Sequence, residues 1–265
     1  VSEQSKFFPR QKIKIVNFMH DTPDFRLSLE NRILSALPGA EIKFLAPHFE
    51  RATLSPGYML YQAGDSIPHI YFPNSGMISL LSVTEQGQTV EVGFTGYEGL
   101  VGIPALLGQN EMPYQALTQA ESDCIRIDTK FALDLFNKCG VFHKIVLRYM
   151  AVIVKQLSQT CICNNFHKIE ARLCRWMTVM FERSGNKHLL LTQEFLAHML
   201  GVQRTSIGLI ANSLQEKGII RYRRGKIEIV DYKKLKNSAC ECFSIIKQEQ
   251  KNFIEDEKFS VMSDK

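Results

Sequence analysis

Long apolar runs are missing from this chain. No uninterrupted stretch approaches the roughly 18 residues that a bilayer-crossing helix needs, and the opening VSEQSKFFPR lacks the apolar core of a secretory signal. The expectation is a cytoplasmic protein with no membrane association. Paired cysteines are missing too: the seven cysteines include no C-x-x-C, and in a cytosolic chain they are expected as reduced thiols. Cys161 and Cys163 point to opposite faces if helical. Cys163, His167 and Cys174 (i, i+4, i+11) fall near one face and with a fourth ligand could hold zinc, but without a C-x-x-C pair no metal site is expected. Cys240 and Cys242 read as ordinary thiols. No Ser/His/Asp or Cys/His arrangement and no phosphate loop stands out, so the chain is read as a non-enzyme without a cofactor.

Apolar content is ample: 45% of the 265 residues are hydrophobic, enough for one large domain or two smaller ones without disulfide staples. The net charge of +5 hides a division. Residues 41–128 carry 3 Lys/Arg against 10 Asp/Glu, whereas residues 129–236 carry 19 against 7. An acidic module is thus joined to a basic one, and basic modules attract phosphate polyanions.

Between residues 50 and 128 short β-rich runs (YMLY, HIYF, GMISLLSV, QTVEVGF, YQALTQA, CIRID) alternate with the turn signals SPG, AGD, PNSG and EQG. That rhythm predicts an antiparallel barrel or sandwich rather than βαβ units. Residues 28–49 read as short helices leading into it. From Thr129 the period becomes helical: FALDLFNKC is short, and a long helix starts at Val141, with no Pro or Gly until Gly185 and a break near Asn164-Asn165. Leu147, Met150, Val154, Leu157 and Cys161 form a heptad seam on that helix, while Phe142, Tyr149 and Ile153 lie off it. Two apolar faces need two partners, here its own β-module and the same helix of a second subunit. The chain therefore divides into an N-terminal extension (1–27), a β-rich module (28–140), a long helix read as a dimerisation helix (141–165), a basic segment (166–236) and a C-terminal tail (237–265).

The stretch TQEFLAHMLGVQRTSIGLIANSLQEKGIIRYRRGKIEIV carries the function. Thr192 caps a helix to Leu200, and Gly201 permits a sharp turn. A second helix reaches about Lys217, with Val202, Ile207, Ile210 and Leu214 turned inward, and Gly218 ends it. A hairpin then turns on Arg223-Arg224-Gly225. Helix, turn, helix and hairpin make a winged helix-turn-helix, whose second helix enters the DNA major groove. Gln203, Arg204, Thr205 and Ser206 would reach base edges, with Leu209 and Asn212 further along. Arg204 suits guanine and Leu209 a thymine methyl. Thr192 suits a phosphate, and Arg221, Arg223, Arg224 and Lys226 make a basic wing.

With those residues in place, the sequence resembles the Crp/Fnr family of bacterial transcription regulators over nearly its whole length, best at TQEFLAHMLGVQRTSIGLI and HKIEARLCRWM. The resemblance implies an α+β chain: an N-terminal antiparallel, jelly-roll-like β-roll of the cyclic-nucleotide-binding type, a long dimerisation helix and a C-terminal winged helix-turn-helix. It also implies a homodimer on near-palindromic double-stranded DNA, with RNA polymerase as a further partner. Cyclic-AMP-responsive members cradle the phosphate with a Gly-Glu turn and an Arg-Ser pair. Here Gly96, Glu98 and Gly99 match the turn. The Arg-Ser position falls near MPYQAL, offering Tyr114 and Gln115, and no arginine lies between Arg51 and Arg126. The family's nucleobase-reaching Thr-Ser pair falls at Leu157-Ser158. A cyclic phosphodiester without a cationic partner is weakly held, so cyclic AMP in the usual mode is not expected and the effector stays open. No cysteine precedes Cys124, against the family's N-terminal iron-sulfur ligands. Thr205 and Leu209 replace the common Glu and second Arg of the recognition helix. A second reading keeps the β-roll as a small-molecule (cyclic nucleotide) sensor acting through a protein partner.

Overall fold

A computed structural model of the chain describes residues 13–17 and 29–255. Most of the segment expected as an N-terminal extension, and the last ten residues of the expected tail, lie outside those. The elements run β1 (Ile13–Asn17), α1 (Arg32–Ser35), α2 (Gly39–Leu45), a 3-10 turn at Ala46–His48, β2 (Glu50–Leu54), β3 (Met59–Tyr61), β4 (His69–Pro73), β5 (Met77–Val83), β6 (Thr89–Thr95), α3 (Ile103–Leu106), β7 (Gln115–Ala120) and β8 (Ser122–Asp128). Two four-stranded antiparallel sheets, β1-β2-β8-β4 and β3-β7-β5-β6, make the β-roll.

Each of the six β-rich runs forms a strand. Two further strands, β1 and β2, escaped the sequence reading because their signal is weak. Lys14, Ile15 and Val16 are all exposed on the edge strand β1, so no face alternates there. In β2 only Ala52 and Leu54 are buried, and Glu50 and Arg51, on opposite faces, form ion pairs with Arg126 and Asp123 of β8 at 2.6 and 2.7 Å.

The chain continues through α4 (Thr129–Phe136), α5 (Val141–Phe166) and α6 (Ile169–Ser184). The helical break falls at His167-Lys168, three residues beyond the expected place. Helix α5 begins at Gly140, which has no side chain to cap it. Glu41 of α2 supplies the cap instead, accepting from the backbone N–H groups of Val141 and Phe142 at 2.7 and 2.8 Å. A Cβ on residue 140 would stand 2.3 Å from the Glu41 carboxylate, so a side chain there would push the Glu41 cap aside.

Helix α5 is two-faced. Phe142, Ile145, Val146, Tyr149 and Val152 are buried against the β-roll, whereas Leu147, Val154, Leu157, Ile162 and Phe166 are exposed. By length and composition alone it could span a bilayer, but Lys144, Arg148 and Lys155 interrupt it and its inner face is covered by the roll.

Then come β9 (His188–Leu190), α7 (Gln193–Leu200), α8 (Arg204–Glu216), β10 (Ile220–Arg223), β11 (Lys226–Ile229), α9 (Tyr232–Asn237) and α10 (Cys242–Glu255), with β10-β11-β9 as a third small sheet. The expected C-terminal tail needs correction at this point. Helix α10 turns Cys242, Phe243, Ile246, Gln250 and Phe253 inward, and Phe253 joins the β-roll core beside Tyr149. Its apolar spacing of three and four was present in CFSIIKQEQKNFIE but diluted by polar residues between.

Among the described residues two large hydrophobic cores result. One fills the β-roll around Phe72, Phe142 and Tyr149. The other packs Trp176, Phe195, Leu196, Ile207 and Leu214 against Met77, Leu81, Phe94 and Leu117 of the β3-β7-β5-β6 sheet. That sheet therefore contributes directly to the core of the C-terminal half. Each fully buried side chain of this size contributes about 1.5–3 kcal/mol.

Candidate nucleic-acid interface and sensor turn

Thr192 caps α7: its Oγ1 accepts from the Phe195 N–H at 3.1 Å. Gly201, at φ 61°, takes the left-handed conformation the turn requires. Leu196, Leu200, Ile207, Ala211 and Leu214 are buried between α7 and α8. The opposite side of α8 is exposed. Gln203, Arg204, Thr205 and Asn212 all face solvent, Ser206 is half-buried, and Leu209 is 73% exposed.

The hairpin turns at Arg224 and Gly225, both at positive φ, with Arg223 paired to Lys226 across it. Arg221, Arg223, Arg224 and Lys226 are exposed. Arg221 is not an isolated cation, since Nη1 lies 2.6 Å from Glu228 Oε2 on the facing strand. Glu228 lies two residues beyond the basic run that marked the wing in the sequence.

The helix-turn-helix rests on the β-roll. Arg172 of α6 donates to the Leu200 carbonyl at 2.5 Å, and the Thr89 hydroxyl of β6 donates to the His198 carbonyl at 3.3 Å. Gln203 and Arg204 border a cleft whose other wall includes Thr84, Gln88 and Val90 of the β5–β6 hairpin.

In the glycine turn, Glu98 is 1% exposed. Its Oε2 accepts from Arg183 Nη1 at 2.6 Å, and its Oε1 accepts from the Gly96 N–H at 3.2 Å and from Gln250 Nε2 at 3.3 Å. Arg183 also donates to Gln250 Oε1 at 2.9 Å and stands 5.0 Å from the Tyr97 ring. Burial alone would pull the guanidinium pKa down, but Glu98 outweighs it and the net shift is upward. A Cβ on Gly99 would lie 2.0 Å from the Tyr149 ring, so Tyr149 fills the space over the turn. Its hydroxyl donates to Thr95 Oγ1 at 2.6 Å.

Of the residues expected to form an effector pocket, Gly96, Glu98 and Gly99 are grouped with Arg183 of α6 and Gln250 of α10. Tyr114 is half-buried, and burial pushes its phenol up to about 12. Gln115 instead donates to Gln62 at 2.8 Å, and the exposed Ser158 donates to the Val154 carbonyl at 2.9 Å on its own helix. Neither makes its hydrogen bond at the turn. Arg183 was not found from sequence because 85 residues separate it from Glu98; the available signal was the want of any arginine near the turn.

A second buried link joins the halves. Glu91 of β6 accepts from Ser79 Oγ at 2.5 Å and from the indole N–H of Trp176 at 3.0 Å. Burial raises the Glu91 pKa, opposed by Arg175 and by these two donors.

The cysteines are arranged differently from expectation. Cys174 is buried in the C-terminal core, where burial pushes its thiol up to about 12, and it stands apart from the group that Cys163 and His167 form. Cys240 and Cys242 complete that group.

This is the architecture of a winged helix-turn-helix DNA-binding regulator with a β-roll sensor. Comparison with known proteins agrees: residues 171–238 match the Crp-like helix-turn-helix domain and residues 51–139 the cyclic nucleotide-binding domain. Over 189 residues the chain is 20% identical to the electron transport regulator A of Shewanella oneidensis, covering 69% of this chain and 75% of that one. It is 22% identical to the fumarate and nitrate reduction regulatory protein of Vibrio cholerae over 193 residues, 70% of this chain and 77% of the relative. A crystal structure of a chain assigned to the Crp/Fnr regulators, from Eubacterium rectale, shares the fold with a TM-score of 0.66 at 15% identity, over 76% of this chain and 94% of that one. The protein is a DNA-binding transcription regulator of the Crp/Fnr type with a cyclic-nucleotide-binding-like domain.

Proposed function

We propose that two copies of the chain bind near-palindromic double-stranded DNA, each placing α8 in a major groove about one helical turn (~34 Å) from the other. The exposed outer face of α8 carries this reading. Arg204 pairs with a guanine, Leu209 meets a thymine methyl, and Gln203, Thr205, Ser206 and Asn212 reach neighbouring edges or phosphates. Thr192 and the wing residues Arg223, Arg224 and Lys226 hold the backbone, with Arg221 in a lesser role. A dimer bound in this way would act on RNA polymerase in the cytoplasm.

Dimerisation uses the outer face of α5, where Leu147, Val154, Leu157 and Cys161 are exposed and Met150 is half-buried. The exposed apolar residues favour a second α5 as the cover, since two-fold closure lets one stripe bury itself. Leu157→Glu should convert a dimer into a monomer in sedimentation velocity and weaken operator binding; a monomeric wild type at micromolar concentration would refute this part.

Cyclic AMP in the usual mode is disfavoured because Arg183, Gln250 and Tyr149 already occupy the partners that the glycine turn would offer. The sensor half instead speaks to the DNA-binding half through Glu98–Arg183 and Glu91–Trp176. Isothermal titration with cyclic nucleotides tests this, and micromolar binding would contradict it. The other reading, a sensor acting through a protein partner, predicts DNA affinity that is negligible or indifferent to salt.

A further inference from the structure

Outside the DNA-reading surface, Cys163, His167, Cys240 and Cys242 converge, although 77 residues separate Cys163 from Cys240. The first two lie one turn apart at the end of α5, and the last two flank the start of α10. One ligand atom from each can be chosen so that all four lie within 4.8 Å of one another. The three cysteines are buried and His167 is half-buried. Cys163 Sγ is 3.5 Å from Cys240 Sγ, and Cys242 Sγ is 3.4 Å from His167 Nδ1. A tetrahedral zinc ion, with bonds of about 2.3 Å to sulfur and about 2.0 Å to nitrogen, needs S···S edges of ~3.8 Å and S···N edges of ~3.6 Å. These two separations are within a few tenths of an ångström of those edges.

The surroundings also suit a metal. His167 Nε2 is held by Glu241 Oε1 at 3.0 Å, which leaves Nδ1 turned to Cys242; a carboxylate on the outer nitrogen is the common support of a ligating imidazole. Gln159 Nε2 donates to Cys242 Sγ at 3.1 Å. Three thiolates and one Zn²⁺ leave a net charge of −1, and the buried Arg172 and Arg175 of α6 act electrostatically on these sulfurs. Each has an Nε with no hydrogen-bond partner among the described residues.

We propose that Cys163, His167, Cys240 and Cys242 form a structural Cys₃His zinc site that fastens the start of α10 to the end of α5. Three sulfur ligands and an imidazole select a soft or borderline ion over Mg²⁺ or Ca²⁺, and four protein ligands leave no open position for catalysis. Binding releases the thiol protons to solvent. The site lies where α5 gives way to α6, and it fixes the helix that carries Gln250 and Phe253 to the sensor turn.

The test uses the full-length chain purified under reducing conditions without chelator. Elemental analysis should give about one zinc per chain. After zinc removal, one Co²⁺ per chain should produce the visible bands of tetrahedral S₃N coordination together with thiolate-to-cobalt charge transfer. Cys240→Ser and Cys242→Ser should abolish those bands, Glu241→Gln should weaken cobalt affinity about 10–100-fold, and Cys174→Ser should leave the bands unchanged. Absence of stoichiometric zinc together with no tetrahedral cobalt spectrum in the reduced wild type would overturn the proposal, even if the serine variants failed to fold. An unaltered spectrum in a folded Cys242→Ser variant would overturn it equally, as would a Cys163–Cys240 disulfide whose reduction gives no cobalt uptake.

Discussion

Arg183 Nη1 lies 2.6 Å from Glu98 Oε2, and this buried pair couples the first helix after α5 to the glycine turn of the β-roll. The side chains are 13% and 1% exposed, so solvent screens the pair little. Gln250 bonds to both partners. The missing cation of the turn is thus supplied by the DNA-binding half of the same chain.

Removing one partner leaves the other charge buried and uncompensated. Arg183→Met or Glu98→Gln should each destabilise the protein by about 3–5 kcal/mol in urea unfolding, while the double variant should cost clearly less than the sum. Additive losses would mean that the two groups are not coupled.

Glu91 gives stability a pH dependence of defined sign. Burial raises its folded pKa above the unfolded value, so its contribution is fully present below the unfolded pKa and is lost as pH rises through the folded pKa. Glu91→Gln keeps an acceptor for Ser79 and Trp176 without the charge. Wild type should therefore gain stability relative to Glu91→Gln as pH is lowered from about 8 to about 5, measured by urea midpoints. A difference that is flat or runs the other way would show that Arg175 and the two donors already offset the burial.

The wing residues should not contribute alike. Arg223→Ala or Arg224→Ala should each lower the slope of log affinity against log salt by about 0.9 for every phosphate that the variant no longer neutralises. Arg221→Ala should lower it less, because Glu228 holds that guanidinium. Fluorescence anisotropy across a salt series reads both.

The α7-turn-α8 unit, the cap of α7 and the hairpin were legible in sequence because their signals are local: a capping threonine, a turn glycine, inward apolar positions three and four apart. The six β-rich runs were legible for the same reason. What escaped depended on residues far apart in the chain. Arg183 meets Glu98, Trp176 meets Glu91 and Cys240 meets Cys163 through tertiary packing, and no spacing rule links residues 77 to 85 positions apart. Glu41 is a further case, since it caps a helix a hundred residues away. The C-terminal helix was read as a tail because its buried Phe243, Ile246 and Phe253 are spaced among lysines and glutamines.

The proposed function rests on the outer face of α8 reading DNA sequence. Selection of bound fragments from a randomised duplex library at physiological salt, run in parallel for wild type and Arg204→Ala, tests it most directly. Wild type should yield a two-fold-related motif, with one guanine in each half-site whose preference falls by about 1–3 kcal/mol in Arg204→Ala. Recovery of no preferred sequence by wild type, or of the same motif at the same strength by both proteins, would contradict it.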